Sequence, residues 1–373
     1  MEYKLLPEVC HIQYGYPFDS EKFSKSEGIP LIRIRDVVRG FTETFTKELC
    51  SKEYVVKKGD ILVGMDGMFN IAKWEGQTGY LNQRVCKLVP NNLIFGDYLF
   101  YYMPCALKKI EDKTAFVTVK HLKAKQLNSI LVPCPPIEEQ KKISKVLSVI
   151  FQLIKQKEAQ LEYLDELIKS RFVEMFANES CLKEPLMENV NEMFIGPFGS
   201  SLKNDCFVDS SAGYCVVYEQ KHAIEKNIKL PFRYVTKEKY DELKRWEVLP
   251  GDIIVSCRGT IGESFEIPAA APRGIMHPSI MKIRLKSKYN HKFFLELLNL
   301  YMQKNKRFAQ GSGVKMGITA SALGKEQFIV PPLKEQEKYA NLLYHIDKSK
   351  LAVKKSLEEL ETLKNSLMQQ YFD

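Results

Sequence analysis

Residues 136–140 read Pro-Ile-Glu-Glu-Gln, and residues 332–336 read Pro-Leu-Lys-Glu-Gln, 196 positions later (332 − 136 = 196). The same offset relates Leu164–Phe176 to Leu360–Phe372. Solenoid repeats have periods of about 20–50 residues, so this repeat is too long to be one. The chain is therefore predicted to contain two copies of one unit, each a globular domain followed by a long helix.

The segment Ile137–Phe176 contains no Gly or Pro, and its apolar residues recur in alternating steps of four and three. That spacing predicts a heptad seam, and the second copy repeats it. The predicted coiled-coil residues are Ile143, Leu147, Ile150, Ile154, Leu161, Leu164 and Ile168 in the first helix, and Leu343, Ile346, Val353, Leu357, Leu360 and Leu367 in the second.

Two matched seams in one chain favour pairing, and pseudo-two-fold symmetry makes the pairing antiparallel. Full overlap places Ile143 beside Tyr371. A slip of one heptad would stack Lys157 on Lys364, and two like charges in a buried layer are costly. We therefore expect the unslipped register. The alternative is two independent surface helices, each packed on its own domain.

The globular domains mix short apolar runs, turns and a helix, which predicts an α+β class. Leu31–Arg35 alternates apolar and basic residues, as a strand with Arg33 and Arg35 on one face would. Gly-Asp turn signals precede apolar strands at Gly59–Val63 and Gly251–Val255. Helices are predicted at 95–107 and 292–308. The predicted division is a first domain at 1–135, a first spacer helix at 136–178, a second domain at 179–331 and a second spacer helix at 332–373.

Bulk composition excludes several classes. The 373 residues carry a net charge of +9, which permits a polyanionic partner. No apolar run is long enough to span a membrane, and the N-terminus lacks a signal-peptide pattern, so a cytoplasmic location is expected. The nine cysteines are scattered without a Cys-x-x-Cys pair, which favours reduced thiols and no zinc site. No phosphate loop, dinucleotide fingerprint or nucleophile–base pair is present, so no catalytic residue, metal or cofactor is predicted.

Basic and amide side chains near turns are the candidates for DNA contact, because Arg and Gln can bond bidentately to guanine and adenine edges. The second domain has Arg258-Gly259 where the first has Asp66-Gly67. The alternatives are that these side chains only stabilise turns or belong to solvated loops. The candidate DNA-binding residues are Arg33, Arg35, Gln83, Arg84, Lys113 and Lys120 in the first domain, and Arg258, Arg307, Gly313 and Lys315 in the second.

Together these features resemble the specificity subunit of type I restriction–modification systems, HsdS. The resemblance covers essentially the whole chain. It rests on the two-unit layout, the two proline-led motifs that begin the long helices, the Gly-Asp strands and Leu81–Val85. The second domain departs from the Leu-Asn-Gln-Arg pattern, with His-Pro-Ser at 277–279.

The resemblance implies that each globular domain recognises one half of a bipartite site in double-stranded DNA. The antiparallel coiled coil would set the spacer and dock two methyltransferase subunits. Those subunits would bind S-adenosylmethionine and methylate adenine N6, and motor-nuclease restriction subunits using ATP and Mg²⁺ would complete the complex. This chain would itself be a non-catalytic subunit.

Three other hypotheses remain open at this point. The chain could be the specificity subunit of another restriction class, which the partner's sequence would reveal. It could be a coiled-coil adaptor that binds proteins but no DNA, which predicts no salt-dependent DNA binding. It could be a divergent nuclease, which predicts metal-dependent cleavage by the purified chain alone.

Overall fold

The structure is a computed structural model that describes residues 2–113, 121–177, 181–304 and 318–372. It divides into two compact units, one formed by Met1–Gln160 with Val353–Asp373 and the other by Leu161–Ala352. Each unit therefore contains one globular domain and a part of both long helices. These units do not correspond to the four consecutive segments predicted from the sequence, so the bounds of those segments stay a prediction.

The first globular domain is built from short strands around three helices and a helical turn. Its helices are α1 Leu6–Val9, α2 Ile34–Arg39, α3 Gly96–Lys113 and α4 Ala124–Asn128. Its strands are β1 Tyr3–Leu5, β2 Cys10–Tyr14, β3 Phe23–Ser24, β4 Ile29–Ile32, β5 Phe45–Thr46, β6 Val55–Val56, β7 Ile61–Gly64, β8 Asn70–Lys73, β9 Gly79–Leu81, β10 Val85–Pro90 and β11 Leu131–Pro133. The long helix α5, Ile137–Phe176, follows.

The second globular domain is also built from short strands and helices. Its helices are α6 Gln220–Ile224, α7 Lys237–Glu242, α8 His291–Lys304 and α9 Ala320–Gly324. Its strands are β12 Lys183–Pro185, β13 Val190–Ile195, β14 Cys215–Tyr218, β15 Arg233–Val235, β16 Glu247–Val248, β17 Ile253–Ser256, β18 Ser264–Glu266, β19 Gly274–Met276, β20 Ile280–Leu285 and β21 Gln327–Ile329. The long helix α10, Leu333–Phe372, follows.

The central sheets of the two domains share one strand order. The sheet β2-β10-β7-β8 of the first corresponds to β13-β20-β17-β18 of the second, and the pair β1-β11 corresponds to β12-β21. Each domain also has a third sheet with one parallel pair, β4 with β9 in the five strands β3-β5-β4-β9-β6 and β14 with β19 in the four strands β15-β14-β19-β16. The α+β class and the internal repeat that the sequence predicted are therefore confirmed.

The Gly-Asp signals form matched turns before β7 and β17. Gly59 and Gly251 have φ of +93° and +86°, a region that glycine enters without a steric penalty. The Asp60 carboxylate accepts the backbone N–H of Lys57 at 2.8 Å, and Asp252 accepts that of Leu249 at 2.7 Å. The strands that follow are buried in the domain cores. The predicted turns and strands are confirmed.

One lysine in each domain links the central sheet to the sheet that contains the parallel pair. Lys282 on β20 is nearly fully buried and donates to the carbonyl of Glu247 on β16 at 2.8 Å. Lys87 on β10 donates to the carbonyl of Val55 on β6, also at 2.8 Å. A buried ammonium is tolerated only when it is paired, and Glu192 pairs with Lys282 at 2.8 Å. The repeat therefore extends to polar contacts inside the cores.

The repeated glutamine of the proline-led motifs anchors the start of each long helix. The Gln140 side chain donates to the carbonyl of Pro135 at 2.8 Å and accepts the backbone N–H of Phe95 at 2.7 Å. Gln336 does the same with Pro331 and Asn290, at 2.7 and 2.8 Å. Both side-chain amides are buried. Their hydrogen bonds satisfy backbone polar groups in the loops before α3 and α8 and in the proline segments before the long helices.

The long helices run antiparallel. In the first unit, Ile143 and Leu147 near the start of α5 share a core with Leu367 and Phe372 near the end of α10. In the second unit, Ile168 and Phe176 of α5 share a core with Tyr339, Leu343 and Ile346 near the start of α10. The antiparallel coiled coil is therefore confirmed, and the reading as two unpaired surface helices is wrong.

Contacts between the helices also agree with the predicted register. Lys364 lies over the ring of Phe151 at 5.8 Å from its centroid, and Lys350 forms an ion pair with Asp165. A slip of one heptad would have placed Lys364 beside Lys157 instead. The seam residues are buried or half-buried in both helices.

Two expectations for local structure were wrong. Arg33 and Arg35 do not share a strand face, because β4 ends at Ile32 and Arg35 lies in α2. The Asp36 carboxylate accepts the backbone N–H of Arg33 at 2.9 Å and caps a helix there. Helix α3 continues beyond residue 107, to Lys113.

Candidate nucleic-acid interface

One edge of the central sheet, β2-β10-β7-β8 in the first domain and β13-β20-β17-β18 in the second, carries several of the candidate residues. Strands β2 and β7 end where β10 begins, because Tyr14 pairs with Cys86 and Gly64 pairs with Val85. The loop after β2, the β7–β8 hairpin loop and the turn before β10 therefore leave the sheet at one edge. We call these segments, residues 15–18, 65–69 and 82–84, with the start of α2 at 33–35, the turn edge of the first domain.

The second domain has a turn edge in the same place. Strand β20 begins where β13 and β17 end, because Met281 pairs with Ile195 and Ile280 pairs with Ser256. The turn edge of the second domain comprises residues 196–199, 257–263 and 277–279, with the start of α6 at 219–221.

Matched backbone hydrogen bonds show which residues of the two edges correspond. Asn82 donates to the carbonyl of Ile32 at 3.1 Å, and His277 donates to that of Tyr218 at 2.9 Å. Met65 donates to Arg84 at 3.0 Å, and Cys257 donates to Ser279 at 2.9 Å. The turn at 82–84 thus corresponds to the turn at 277–279, and the Arg33 position corresponds to Glu219.

A glycine in the loop after β2 or β13 allows the close packing of each turn edge. A Cβ on Gly15 would lie 2.0 Å from the Asn82 carbonyl oxygen, and one on Gly196 would lie 2.2 Å from that of His277. No real side chain tolerates such distances, so these positions require glycine. The loop is thereby held directly against the turn.

In the first domain, Gln83 and Arg84 lie exposed at the tip of the turn. Arg84 Nε lies 3.2 Å from the Asp66 carboxylate, which also meets His121 Nδ1 at 2.7 Å. Such exposed ion pairs contribute little stability and exchange readily. Asp66 therefore holds the Arg84 guanidinium at the turn edge, but the guanidinium can exchange Asp66 for another hydrogen-bond acceptor.

Arg33 and Arg35 lie at the same turn edge, although on a helix start and not on a strand. The Arg33 guanidinium lies 5.6 Å from the ring centroid of Phe23. Arg35 donates to Thr44 Oγ1 at 3.1 Å. Both line one shallow surface cavity with Lys25 and Glu43. The structure therefore brings Arg33, Arg35, Gln83 and Arg84 to one side of the domain.

In the second domain, the ring of His277 lies among cationic side chains. Burial lowers the pKa of His277, and the charges of Arg233 and Arg258 lower it further. The ring is therefore neutral at neutral pH. Its Nδ1 accepts the backbone N–H of Ser279 at 3.2 Å, so the ring proton lies on Nε2. His277 can act there as a hydrogen-bond donor.

The Arg258 and Gly259 pair lies in the β17–β18 hairpin loop and is exposed. Gly259 has φ of +65°, and Gly67 in the β7–β8 loop has φ of +74°. This shared left-handed residue places Arg258 at the position of Asp66. The correspondence that the sequence indicated is confirmed by geometry.

The remaining candidates are not all at the turn edges. Lys113 ends α3 and lines a different cavity, beside Tyr3 and Phe372. Lys120, Arg307, Gly313 and Lys315 lie outside the described residues. Contact of any of these residues with DNA stays a prediction.

Comparison with known proteins decides the family. The family model for the type I restriction modification DNA specificity domain matches residues 1–163 and 213–362. The chain belongs to the type I restriction–modification specificity family. A similar relative is the EcoBI specificity subunit of Escherichia coli, 37% identical over 166 residues, which are 44% of this chain and 35% of that protein. The match thus spans about a third of that relative.

Other relatives cover more of this specificity chain. The putative MjaX specificity subunit of Methanocaldococcus jannaschii is 24% identical over 95% of the chain and 85% of its own length. A crystal structure of the S subunit of a type I system from M. genitalium has a TM-score of 0.59 at 16% identity, over 100% of this chain and 96% of that one. A second solved structure, from work on assembly of the type I system, has a TM-score of 0.60 at 15% identity, over 100% and 97%. These structures support the fold.

Reasoning from the sequence of this specificity chain missed a polar cluster at the start of α6. Arg233 donates to Glu219, and Lys221 lies 3.1 Å from the same carboxylate. Burial acts to raise the pKa of Glu219, but the hydrogen bonds from Lys221 and Arg233 lower it overall. The Arg233 guanidinium also lies 3.8 Å from the ring centroid of Phe207. Glu219 and Arg233 are far apart in sequence, so no local pattern indicated them.

Within the described residues, no cluster of His, Cys, Asp and Glu side chains is arranged to hold a metal ion. All nine cysteines lie in those residues, and none of them forms a disulfide. None of the helices in those residues is long and apolar enough to cross a membrane.

Proposed function

We propose that this chain recognises a bipartite site in double-stranded DNA, with each domain recognising one half-site through its turn edge. One observation carries the proposal: two domains whose central sheets share one strand order present the same sheet edge with different side chains at matched positions. The first edge offers Arg33, Arg35, Gln83 and Arg84, and the second offers Arg258, His277 and Glu219. Guanidinium and amide groups that are exposed at turns fit base edges in the major groove.

The different charges at matched positions support recognition of two different half-sites. Asp66 of the first domain corresponds to Arg258 of the second, Arg84 corresponds to Ser279, and the Arg33 position carries Glu219. Arginine favours guanine, whereas a carboxylate accepts from the amino group of cytosine. Two such edges would therefore not prefer the same base sequence.

We further propose that the coiled coil of α5 and α10 sets the spacer between the half-sites. Each helix has 40 residues and is about 60 Å long at 1.5 Å per residue. Adjacent half-sites on one face of DNA are about 34 Å apart. Helices of this length are sufficient for that span.

The chain is proposed to act as a non-catalytic subunit in the cytoplasm. Two methyltransferase subunits would dock on it, bind S-adenosylmethionine and methylate adenine after flipping it from the duplex. Restriction subunits would supply ATP- and Mg²⁺-dependent translocation and cleavage. Membership of the specificity family supports this assignment of roles.

A methylation map tests the proposal. DNA from cells that express this chain with its methyltransferase subunit would be read by long-read sequencing and compared with DNA from cells lacking only this chain. We expect a bipartite N6-methyladenine motif that depends on the chain. Absence of any such motif, with a methyltransferase that is folded and binds S-adenosylmethionine, would refute the recognition role and favour a protein adaptor.

A further inference from the structure

Each turn edge carries one large apolar side chain that is almost completely exposed. Phe198 in the loop after β13 is 84% exposed, and Met68 in the β7–β8 hairpin loop is 81% exposed. Leu49, also 81% exposed, lies outside both turn edges and provides a comparison. Covering such a side chain with a binding partner would remove its apolar surface from water, which is favourable.

The loop that carries Phe198 is anchored on both sides. Gly196 packs against the carbonyl of His277, Pro197 is buried, and Leu202 is 5% exposed in a core cluster. The backbone N–H of Ser201 donates to the Phe198 carbonyl at 2.9 Å and closes a turn. Because Pro197 and Leu202 are buried in the domain, the side chain of Phe198 between them is left exposed to solvent.

The first domain uses the corresponding loop differently. Tyr16 and Phe18 turn inward there, with ring centroids 4.9 Å apart, and Phe18 stacks on Tyr80 at 5.5 Å. The exposed apolar side chain is instead Met68, which follows the left-handed Gly67. Both domains thus present one such side chain, from different loops of the same edge.

Each of these two side chains shares its turn edge with a guanidinium group. Arg258 and the Nε2–H of His277 belong to the same turn edge as Phe198, and Arg84 belongs to that of Met68. An apolar tip among hydrogen-bond donors matches duplex DNA, in which apolar base faces and thymine methyl groups lie between anionic phosphates. Phe and Met are among the side chains that proteins insert between base steps.

We propose that Phe198 and Met68 contact the bases of the half-sites bound by their domains and contribute to half-site discrimination. The inference rests on the proposed function and deepens it. It assigns an apolar contact to each edge in addition to the polar candidates. Because the two side chains differ in shape and in the loop that carries them, they also differentiate the two half-sites.

The test uses the full chain with its methyltransferase subunit and duplexes that contain the mapped site. Two further duplexes have one half-site scrambled. Binding is measured by fluorescence anisotropy for Phe198→Ala, Phe198→Trp, Met68→Ala and the control Leu49→Ala. We expect Phe198→Ala to weaken binding to the intact site by about tenfold or more, since a large apolar contact is lost. Phe198→Trp should retain most of the affinity, because a ring is kept.

The half-sites separate a base contact from a general defect. Scrambling the half-site bound by the second domain should reduce the affinity of Phe198→Ala by a smaller factor than the affinity of the wild type. Scrambling the half-site bound by the first domain should reduce both affinities by the same factor. Met68→Ala should show the reverse pattern. An adenine analogue that fluoresces when unstacked is placed in each half-site in turn. Its fluorescence should rise when the wild type binds, and should rise less with Phe198→Ala in the half-site of the second domain and with Met68→Ala in that of the first.

Three results would overturn the inference. In one, Phe198→Ala and Met68→Ala bind as the Leu49→Ala control does. In another, either variant loses the methyltransferase subunit while half-site discrimination is intact, which would identify a protein contact. In the third, the wild type shows no preference for the mapped site, which would refute the proposed function as well; the first two leave that function standing.

Discussion

Single residues at matched positions differentiate two domains that otherwise share a fold. Matched backbone hydrogen bonds hold the turn edges of both domains, so side chains at the tips can differ. Asp66 restrains Arg84 in the first domain, whereas Arg258 stands at the Asp66 position in the second. The side chains at the turn edge can therefore change without a change of fold.

Reciprocal substitutions test this independence. We expect Arg84→Ala to abolish or change recognition of one half-site and Arg258→Ala to do so for the other, because each guanidinium belongs to only one edge. A lost bidentate contact should reduce discrimination by about 1–3 kcal/mol. Methylation maps of cells that express each variant provide the measurement. Equal loss at both half-sites with Arg84→Ala would mean that Arg84 is structural.

His222 predicts a pH dependence of stability in the second unit. The ring is fully buried, stacks on Phe232 at 4.5 Å between centroids, and accepts the Glu219 N–H at Nδ1. Burial, with the charge of Lys221, lowers the pKa of His222 in the folded state. Its contribution is therefore complete above the unfolded pKa of about 6.5, and it is lost as pH falls from there toward the folded pKa.

Urea unfolding at about pH 7.5 and about pH 5.5 would measure this effect. We expect the wild type to lose more free energy of unfolding on acidification than His222→Asn, by on the order of 1 kcal/mol, because the amide keeps an acceptor but does not titrate. In the first domain, Asp36 accepts the backbone N–H of Arg33 as His222 accepts that of Glu219. Asp36→Asn is therefore the matched control, since it makes the corresponding substitution without changing His222. The same loss in wild type and His222→Asn would contradict the prediction.

At the scale of elements, the long helices follow from local sequence. Their bounds, Ile137–Phe176 and Leu333–Phe372, coincide with segments that lack Gly and Pro. Their antiparallel pairing follows from the pseudo-two-fold repeat, and their register follows because a slip of one heptad would place Lys157 beside Lys364. The sequence did not reveal the role of Gln140 and Gln336, because their partners lie in loops distant along the chain.

A paired deletion tests the helices as a spacer. Removing residues 154–160 of α5 and 354–360 of α10 takes one heptad from each helix and preserves the facing pairs. The coil shortens by about 10 Å, so we expect a recognised spacer about three base pairs shorter, with the half-site sequences unchanged. A methylation map would measure both.

Deletion of 154–160 alone is the matched control. It displaces the seam of α5 from that of α10 and should reduce stability without giving a defined new spacer. An unchanged spacer after the paired deletion would rule out the spacer role.

At the scale of the whole molecule, the net charge of +9 and the exposed basic groups predict salt-dependent binding to DNA. A protein that makes six to ten phosphate contacts should lose about 10³- to 10⁵-fold in affinity between about 50 mM and about 200 mM salt. Binding of the full chain to the mapped duplex and to an unrelated duplex would be titrated with salt. Absence of any salt-dependent binding would favour the adaptor hypothesis.

The sequence alone determined the repeat, the α+β class, the antiparallel helices and their register, and the Gly-Asp turns. All of these depend on residues that are neighbours in sequence or on a periodicity that is visible along one segment. Tertiary structure alone decided that Arg35 lies on a helix, that Glu219 meets Arg233, and that Phe198 faces solvent while Phe18 is buried. Those outcomes depend on which distant segments share a sheet edge, because packing there decides whether a helix cap, an ion pair or an exposed ring forms.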